Sequence, residues 1–194
     1  MKTLLTIAIL SFILIGECQA QQQADSAFYA YKQSKWLAKK IGKWQVTMTI
    51  RPTIDAKPTL VKDLEAVRTM IGAFCLNEVM QPVKGAKMPL FKRIGNLNYN
   101  LNDARWDYMS IDTRITGGIM NFNFIENKGD SIVSYIPDFP HPGFGPKLTN
   151  RGKNVKVRNV IITLNQNHDL VKQYWTFTDG KEWLAIKYDF FRVK

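Results

Sequence analysis

The residues with the chemistry of a nucleophile, a metal ligand or a proton carrier are few and scattered. The two histidines are His141, inside a proline-rich run, and His168, inside Asn165-Gln166-Asn167-His168-Asp169. Neither stands in a Gly-x-Ser-x-Gly or Cys-His setting, so acyl transfer is disfavoured and no catalytic residue is assigned. Cys75 follows Phe74 in an apolar stretch and reads as a core thiol. Without a Cys-x-x-Cys or His-Glu-x-x-His run there is no zinc framework, and no metal ligand is assigned. Asp107 and Asp112 flank one expected strand, but a separation of five positions puts them on opposite faces. Glu65 and Glu78 fall on neighbouring strands and read as solvated partners of Arg68 or another nearby base.

A cationic and aromatic set is more informative. Arg68 shares a strand face with Leu64, Ala66 and Met70, where a charge is costly unless it is paired or faces a wet cavity. Trp106, Tyr108 and Asp112 share one face, and Tyr188 shares its face with Ile186, Phe190 and Arg192. With those faces turned inward, Arg68, Tyr99, Trp106, Tyr108, Asp112, Tyr188 and Arg192 form a candidate ligand-binding set. It would offer an apolar cavity with an arginine and hydroxyls to orient an acidic or polar head group. The competing reading is rim salt bridges and ordinary packing.

The elements that must position these residues are nearly all strands. From Ser26 to Ile41, Phe28, Tyr31, Leu37 and Ile41 recur near helical spacing, Ser26 can cap the start and Gly42 stops the run. One short amphipathic helix is thus expected before the sheet, placed to plug one end of it. Trp44 to Arg51 then alternates apolar and polar residues with the period of a half-buried strand. Further strands are expected over Leu60–Ile71, Phe74–Val83, Leu90–Asn100, Arg105–Asp112, Ile115–Ile125, Ser131–Ile136, Val155–Asn165, Leu170–Thr178 and Trp183–Val193. The links are mostly tight turns, at Asn102-Asp103, Asn127 to Asp130, Asn165 to Asp169 and Asp179 to Lys181, so successive strands should pair with their neighbours.

An all-β fold follows: a closed or nearly closed antiparallel up-and-down barrel of about ten strands. A two-sheet sandwich is the alternative, but an open meander of this length leaves two exposed edges. One connection is long, running from Pro137 to Lys153 with Phe139 and Phe144 held among prolines. It forms either a lid over a barrel mouth or packing on the rim.

Compartment is written in the first twenty residues. A basic start at Lys2, a 12-residue apolar run from Leu4 to Ile15, and small residues at Cys18 and Ala20 read as a signal peptide cut after Ala20. Spanning a bilayer takes roughly 20 apolar residues, so no transmembrane span is expected. A lipoprotein processed at Cys18 is disfavoured by Glu17. The expected organisation is a signal peptide over 1–20, an N-terminal segment with the short helix over 21–42 and a β-barrel domain over 43–194. Localisation is then periplasmic or secreted.

Formal net charge is +11, from 27 Lys and Arg against 16 Asp and Glu. Cutting after Ala20 removes one base, Lys2, and one acid, Glu17, and leaves that balance unchanged. Lys32, Lys35, Lys39, Lys40 and Lys43 crowd one segment, and Lys147, Arg151, Lys153, Lys156 and Arg158 another. These clusters suit solvated surface and a weak contact with an anionic envelope surface, while nothing resembles a nucleic-acid module. With Cys18 removed, Cys75 has no partner for an internal disulfide.

Taken in order, Gly42-Lys43-Trp44, Ile71-Gly72-Ala73-Phe74, Gly95-Asn96-Leu97-Asn98-Tyr99-Asn100, Ser110-Ile111-Asp112-Thr113 and the closing Tyr188 to Arg192 resemble domain-of-unknown-function family 1579. That family is itself similar to the calycins: lipocalins, fatty-acid-binding proteins and nitrobindin-like barrels. The resemblance spans roughly Leu37 to the C-terminus. It departs at Ala73, Asn98 and Ser110, where the family commonly has glycine, glycine and an aromatic. It implies a calycin-like barrel and confers no activity. Function is then read as an exported protein that binds a small hydrophobic or amphipathic molecule without chemistry and without a resident cofactor. The alternatives are a haem-holding nitrobindin-like barrel, an envelope enzyme using the barrel mouth, and an envelope protein acting through its surface.

Overall fold

The computed structural model describes residues 28, 31–114, 119–128, 131–141, 143, 150–177 and 180–194. The expected signal peptide, the Ser26 cap and Phe144 lie outside them. One helix, α1 (Lys32–Ala38), precedes ten strands: β1 (Gly42–Ile50), β2 (Thr59–Ile71), β3 (Cys75–Pro82), β4 (Arg93–Asn100), β5 (Arg105–Asp112), β6 (Ile119–Lys128), β7 (Ser131–Pro140), β8 (Asn154–Asn165), β9 (His168–Thr176) and β10 (Glu182–Arg192). Every strand pairs antiparallel with its sequence neighbour, and β1 also pairs with β10, so the meander closes into a barrel. At the seam Trp44 stands opposite Arg192 on one side and Ala66 on the other. No described helix is long and apolar enough to cross a membrane.

Alternation decides which face is inside. Trp44, Val46 and Met48 of β1 are buried while their neighbours are not, and Leu64 and Ala66 of β2, Leu76 and Met80 of β3, and Tyr188 and Phe190 of β10 meet them in the interior. A second cluster of Phe122, Ile136, Val155, Val157, Trp175, Trp183 and Ala185 fills the end away from the helix. Burial of such side chains contributes about 1.5–3 kcal/mol each, so packing alone can hold a barrel without a disulfide.

The helix closes one end, as the sequence suggests. Leu37 is fully buried in the first cluster, and Trp36 packs edge-on against Trp106 at 5.2 Å. Gly42 turns the chain from helix to sheet at a φ of 135°, and a Cβ there would stand 3.1 Å from Arg192 Nη1. That approach matters because Arg192 crosses the junction: its guanidinium donates to the carbonyls of Lys39, Ile41 and Gln166 and lies 4.6 Å over the Trp44 ring. A cation thus meets the unpaired carbonyls at the helix C-terminus.

Three expectations change. The β8–β9 link is only Gln166-Asn167, so His168 and Asp169 belong to β9. The chain from Pro137 to Pro140 is strand, with Phe139 opposite Val155; a register shift between Ile136 and Phe139 accommodates Pro137, as a bulge allows. Cys75 is half-buried and alternates with the inward Leu76, so it lies outside the core; burial raises its thiol pKa.

Arg192→Met should keep the aliphatic stem over Trp44 while removing the three carbonyl bonds. Hydrogen exchange should then show lost protection confined to residues 32–41, with global stability in urea lower by about 1–3 kcal/mol. Uniform loss around the barrel would contradict the clamp.

Candidate functional site

The interior holds a chain of charge beneath the helix. Lys40, just past α1, donates to Asp169 Oδ1 at 2.8 Å and to Thr163 Oγ1 at 2.7 Å. Arg68 from β2 donates to Asp169 Oδ2 at 2.6 Å and to Glu78 Oε2 of β3 at 2.8 Å. Lys40 is 4% exposed, Arg68 4% and Asp169 1%, so these groups have left water. Aromatic faces replace part of that hydration: Arg68 lies 4.6 Å over Trp44 and 4.3 Å over Phe190, and Lys40 lies 4.2 Å over Trp36. The Arg68–Glu78 pair is therefore buried, not solvated, because both side chains point into a closed barrel.

Burial lowers the Lys40 ammonium to about 8, against the opposing pull of Asp169. Deeper inside, Arg93 of β4 donates from Nε to Ser110 Oγ at 3.2 Å and from Nη2 to Tyr108 Oη at 2.6 Å, and it lies 4.9 Å over the Tyr188 ring. Gly95 makes room for this arrangement, since a Cβ there would stand 2.7 Å from Tyr108 Oη.

Two spaces adjoin this chain. An interior cavity of about 40 Å³ is lined by Lys40, Arg68, Glu78, Arg93, Tyr108, Asn159 and Asp169, with Leu76, Leu97, Ile161 and Val171 completing its wall. On the outside, a groove of about 750 Å³ runs between α1 and the β8–β9 hairpin, past Trp36, Lys39, Leu164, Gln166, Asn167 and Arg192. Lys40 and Asp169 line both, so their ion pair is the partition between groove and interior.

The seven residues singled out from sequence disperse. Arg68 and Tyr108 line the cavity, Tyr188 lies beneath Arg93, and Arg192 borders the groove while bonded to backbone carbonyls. Tyr99 and Trp106 meet edge-on at 5.0 Å below Trp36. Asp112 lies at the far end, where Arg114 bonds hold its carboxyl below the usual range despite burial. Lys40, Glu78, Arg93, Gly95, Asn159 and Asp169 complete the site and were not in that set. An arginine alternating with Gly95 and Leu97 was the one available signal.

Neither histidine lines either space. His168 stacks on Phe191 at 4.3 Å and lies 3.3 Å from Asp189. His141 is buried against Trp175 at 4.8 Å, its Nδ1 accepts from the Gly143 N–H, and burial lowers its pKa to about 4. A macrocycle such as haem does not fit the interior cavity, and no imidazole faces it.

Residues 30–192 match the family described as Protein of unknown function (DUF1579). The chain belongs to this family. This DUF1579 member is similar to two solved structures. The crystal structure of Rv2717c from M. tuberculosis is 13% identical, with 84% of this chain and 99% of that one covered at a TM-score of 0.53. A redesigned beta barrel is 14% identical, with 81% and 95% covered at a TM-score of 0.38. No curated protein matches the chain in sequence. The first likeness supports the barrel fold of the DUF1579 chain and carries no function with it.

Lys40 sets a pH dependence. Its folded pKa of about 8 lies below the ordinary 10.5, so between these values the unfolded chain binds the extra proton. Stability should therefore rise with pH across that window, by up to about 3 kcal/mol, and the gain is complete above 10.5. Urea unfolding should show this slope in the native protein and not in Lys40→Met. Gly95→Ala should cost about 1–3 kcal/mol by forcing Tyr108 aside; an unchanged midpoint would show that the ring has room to move.

Proposed function

We propose that this protein is an exported, non-catalytic binding protein whose ligand is a small, partly apolar anion held in the groove between α1 and the β8–β9 hairpin. The observation that carries the reading is the groove itself: about 750 Å³, within the roughly 300–1,000 Å³ range of small-molecule sites. Trp36, Ala38 and Leu164 offer apolar contact, and Lys39, Lys40 and Arg192 offer positive charge. The one carboxylate among its described lining residues, Asp169, is already engaged by Lys40 and Arg68. A cationic groove with an indole on one wall suits an apolar body ending in a carboxylate or a similar anion.

The interior supports a narrower version of barrel binding than a lipocalin-like reading would. Its small, charge-lined cavity has no space for an acyl chain, so the apolar part of a ligand belongs outside, against the helix. Export rests on the sequence alone: the basic start, the apolar run and the small residues before Gln21.

Amide chemical shifts test the groove. Decanoate, decanol and decyltrimethylammonium should be titrated separately at millimolar concentration. Decanoate is expected to shift Lys39, Leu164, Asn165 and Asn167 saturably, decanol more weakly and the cation least. Lys39→Glu should weaken decanoate binding by about tenfold at low salt. Absence of shifts at these residues with all three probes, or a preference for the cation, would overturn the assignment.

A further inference from the structure

The interior charges do not balance. The cavity wall carries three cations, Lys40, Arg68 and Arg93, against two carboxylates, Glu78 and Asp169. Lys40 and Arg68 take both carboxylates in direct ion pairs. Arg93 is left with the neutral hydroxyls of Ser110 and Tyr108 and, among the described residues, has no ion-paired carboxylate. Asp112 stands opposite it in the strand register but bonds Arg114 through both oxygens. Arg93 is only 5% exposed, and its Nη1 has no hydrogen-bond partner. A guanidinium never gives up its charge, so burial with one nitrogen unused and only the charges of Glu78 and Asp112, each bonded to another arginine, acting on it from a distance is a standing cost.

The facing wall is orphaned as well. Asn159 of β8 lines the same cavity, is 1% exposed, and its Oδ1 has no hydrogen-bond partner among the described residues. Ser134 is its register neighbour on β7, and the Ser134 Oγ is also buried without a partner. A half-turn of the Asn159 amide exchanges its oxygen for an NH₂ donor, so this wall can offer hydrogen bonds of either sense.

We propose that the interior cavity is a binding site for one small monovalent carboxylate or planar oxyanion, held by the outer edge of the Arg93 guanidinium together with Asn159. Size sets the class: about 40 Å³ holds roughly three water-sized groups, hence a ligand of about three or four heavy atoms such as formate or acetate. Shape agrees, because Nη1 and the second hydrogen of Nη2 make the planar fork that matches two oxygens of a carboxylate. Charge agrees too, since one negative charge brings the cavity wall to neutrality. The site lies beyond the Lys40–Asp169 partition and does not depend on the groove being a ligand site.

Thermal unfolding at constant ionic strength tests this, with sodium formate or acetate replacing sodium gluconate, an anion too large to enter. Expected is a saturable rise of roughly 5–10 °C at a hundredfold excess over the dissociation constant. Arg93→Met should abolish it. Asn159→Asp should also abolish it, because that variant places a carboxylate of its own on the cavity wall. Lys39→Glu, on the groove, should leave the response intact. A midpoint that does not move with formate or acetate means the cavity holds water only and overturns the proposal, as does a response that survives in both cavity variants.

Discussion

The buried ion chain Lys40–Asp169–Arg68–Glu78 is the constraint on which the rest of the molecule depends. Four ionised groups inside a closed barrel are expensive, and swapping such a network for apolar side chains is often neutral or stabilising by about 1–4 kcal/mol. Its value is positional. The chain joins the end of α1 and the β2–β3 hairpin to β9, more than a hundred positions away in sequence, through contacts of 2.6 to 2.8 Å. Asp169 has each oxygen bonded by a cation and Glu78 has one, and both of those cations rest on aromatic faces. A helix of seven residues has almost no stability of its own in water. It stays on the barrel because Leu37 is buried below it, Lys40 reaches inward, and Arg192 binds the carbonyls beyond its last turn.

The same constraint fixes what the interior can hold. Trp44, Phe190 and Tyr188 form the π-faces against which Arg68 and Arg93 lie, and these rings with their guanidinium partners occupy the volume that a calycin-like barrel can leave for a ligand. Tyr108 fits only because position 95 lacks a side chain. What remains is small and bounded by charged and apolar side chains together, and the roomier space lies outside, beside the helix.

Much of the architecture was legible in the sequence, for identifiable reasons. Arg105–Asp112 is a strand with the bounds the sequence suggests because Asn102-Asp103 turns the chain before it. The closed meander follows from short links that leave no room for crossovers. The site was less legible. Alternation groups residues on a face without naming the inner one, so Arg68, Trp106 and Tyr188 could be found but not placed relative to one another. Lys40 sits in a run of lysines and looks solvated, and Asp169 sits in an Asn-rich stretch and looks like a turn. Only closure brings them together, across 129 positions of sequence. Asn159 gives no local signal, because one amide in a valine-rich strand becomes informative only when Arg93 shares its cavity.

Fold alone is therefore a poor guide to ligand chemistry in this barrel, and the side chains that fill it are the better one. An apolar interior would favour a lipophile, since expelling water from such a cavity is favourable at about 25 cal/mol per Å². Here the interior presents charge, and any group entering must replace the hydrogen bonds of Arg93 or Asn159 or leave them unmet at a cost of about 1–3 kcal/mol each. An acyl chain replaces none of them, whereas a small anion replaces several and supplies the missing charge. The Lys40–Asp169 partition sharpens this division: a ligand lying along Trp36 would meet the ammonium from the groove side, while the cavity behind it would admit only a group small enough for its volume.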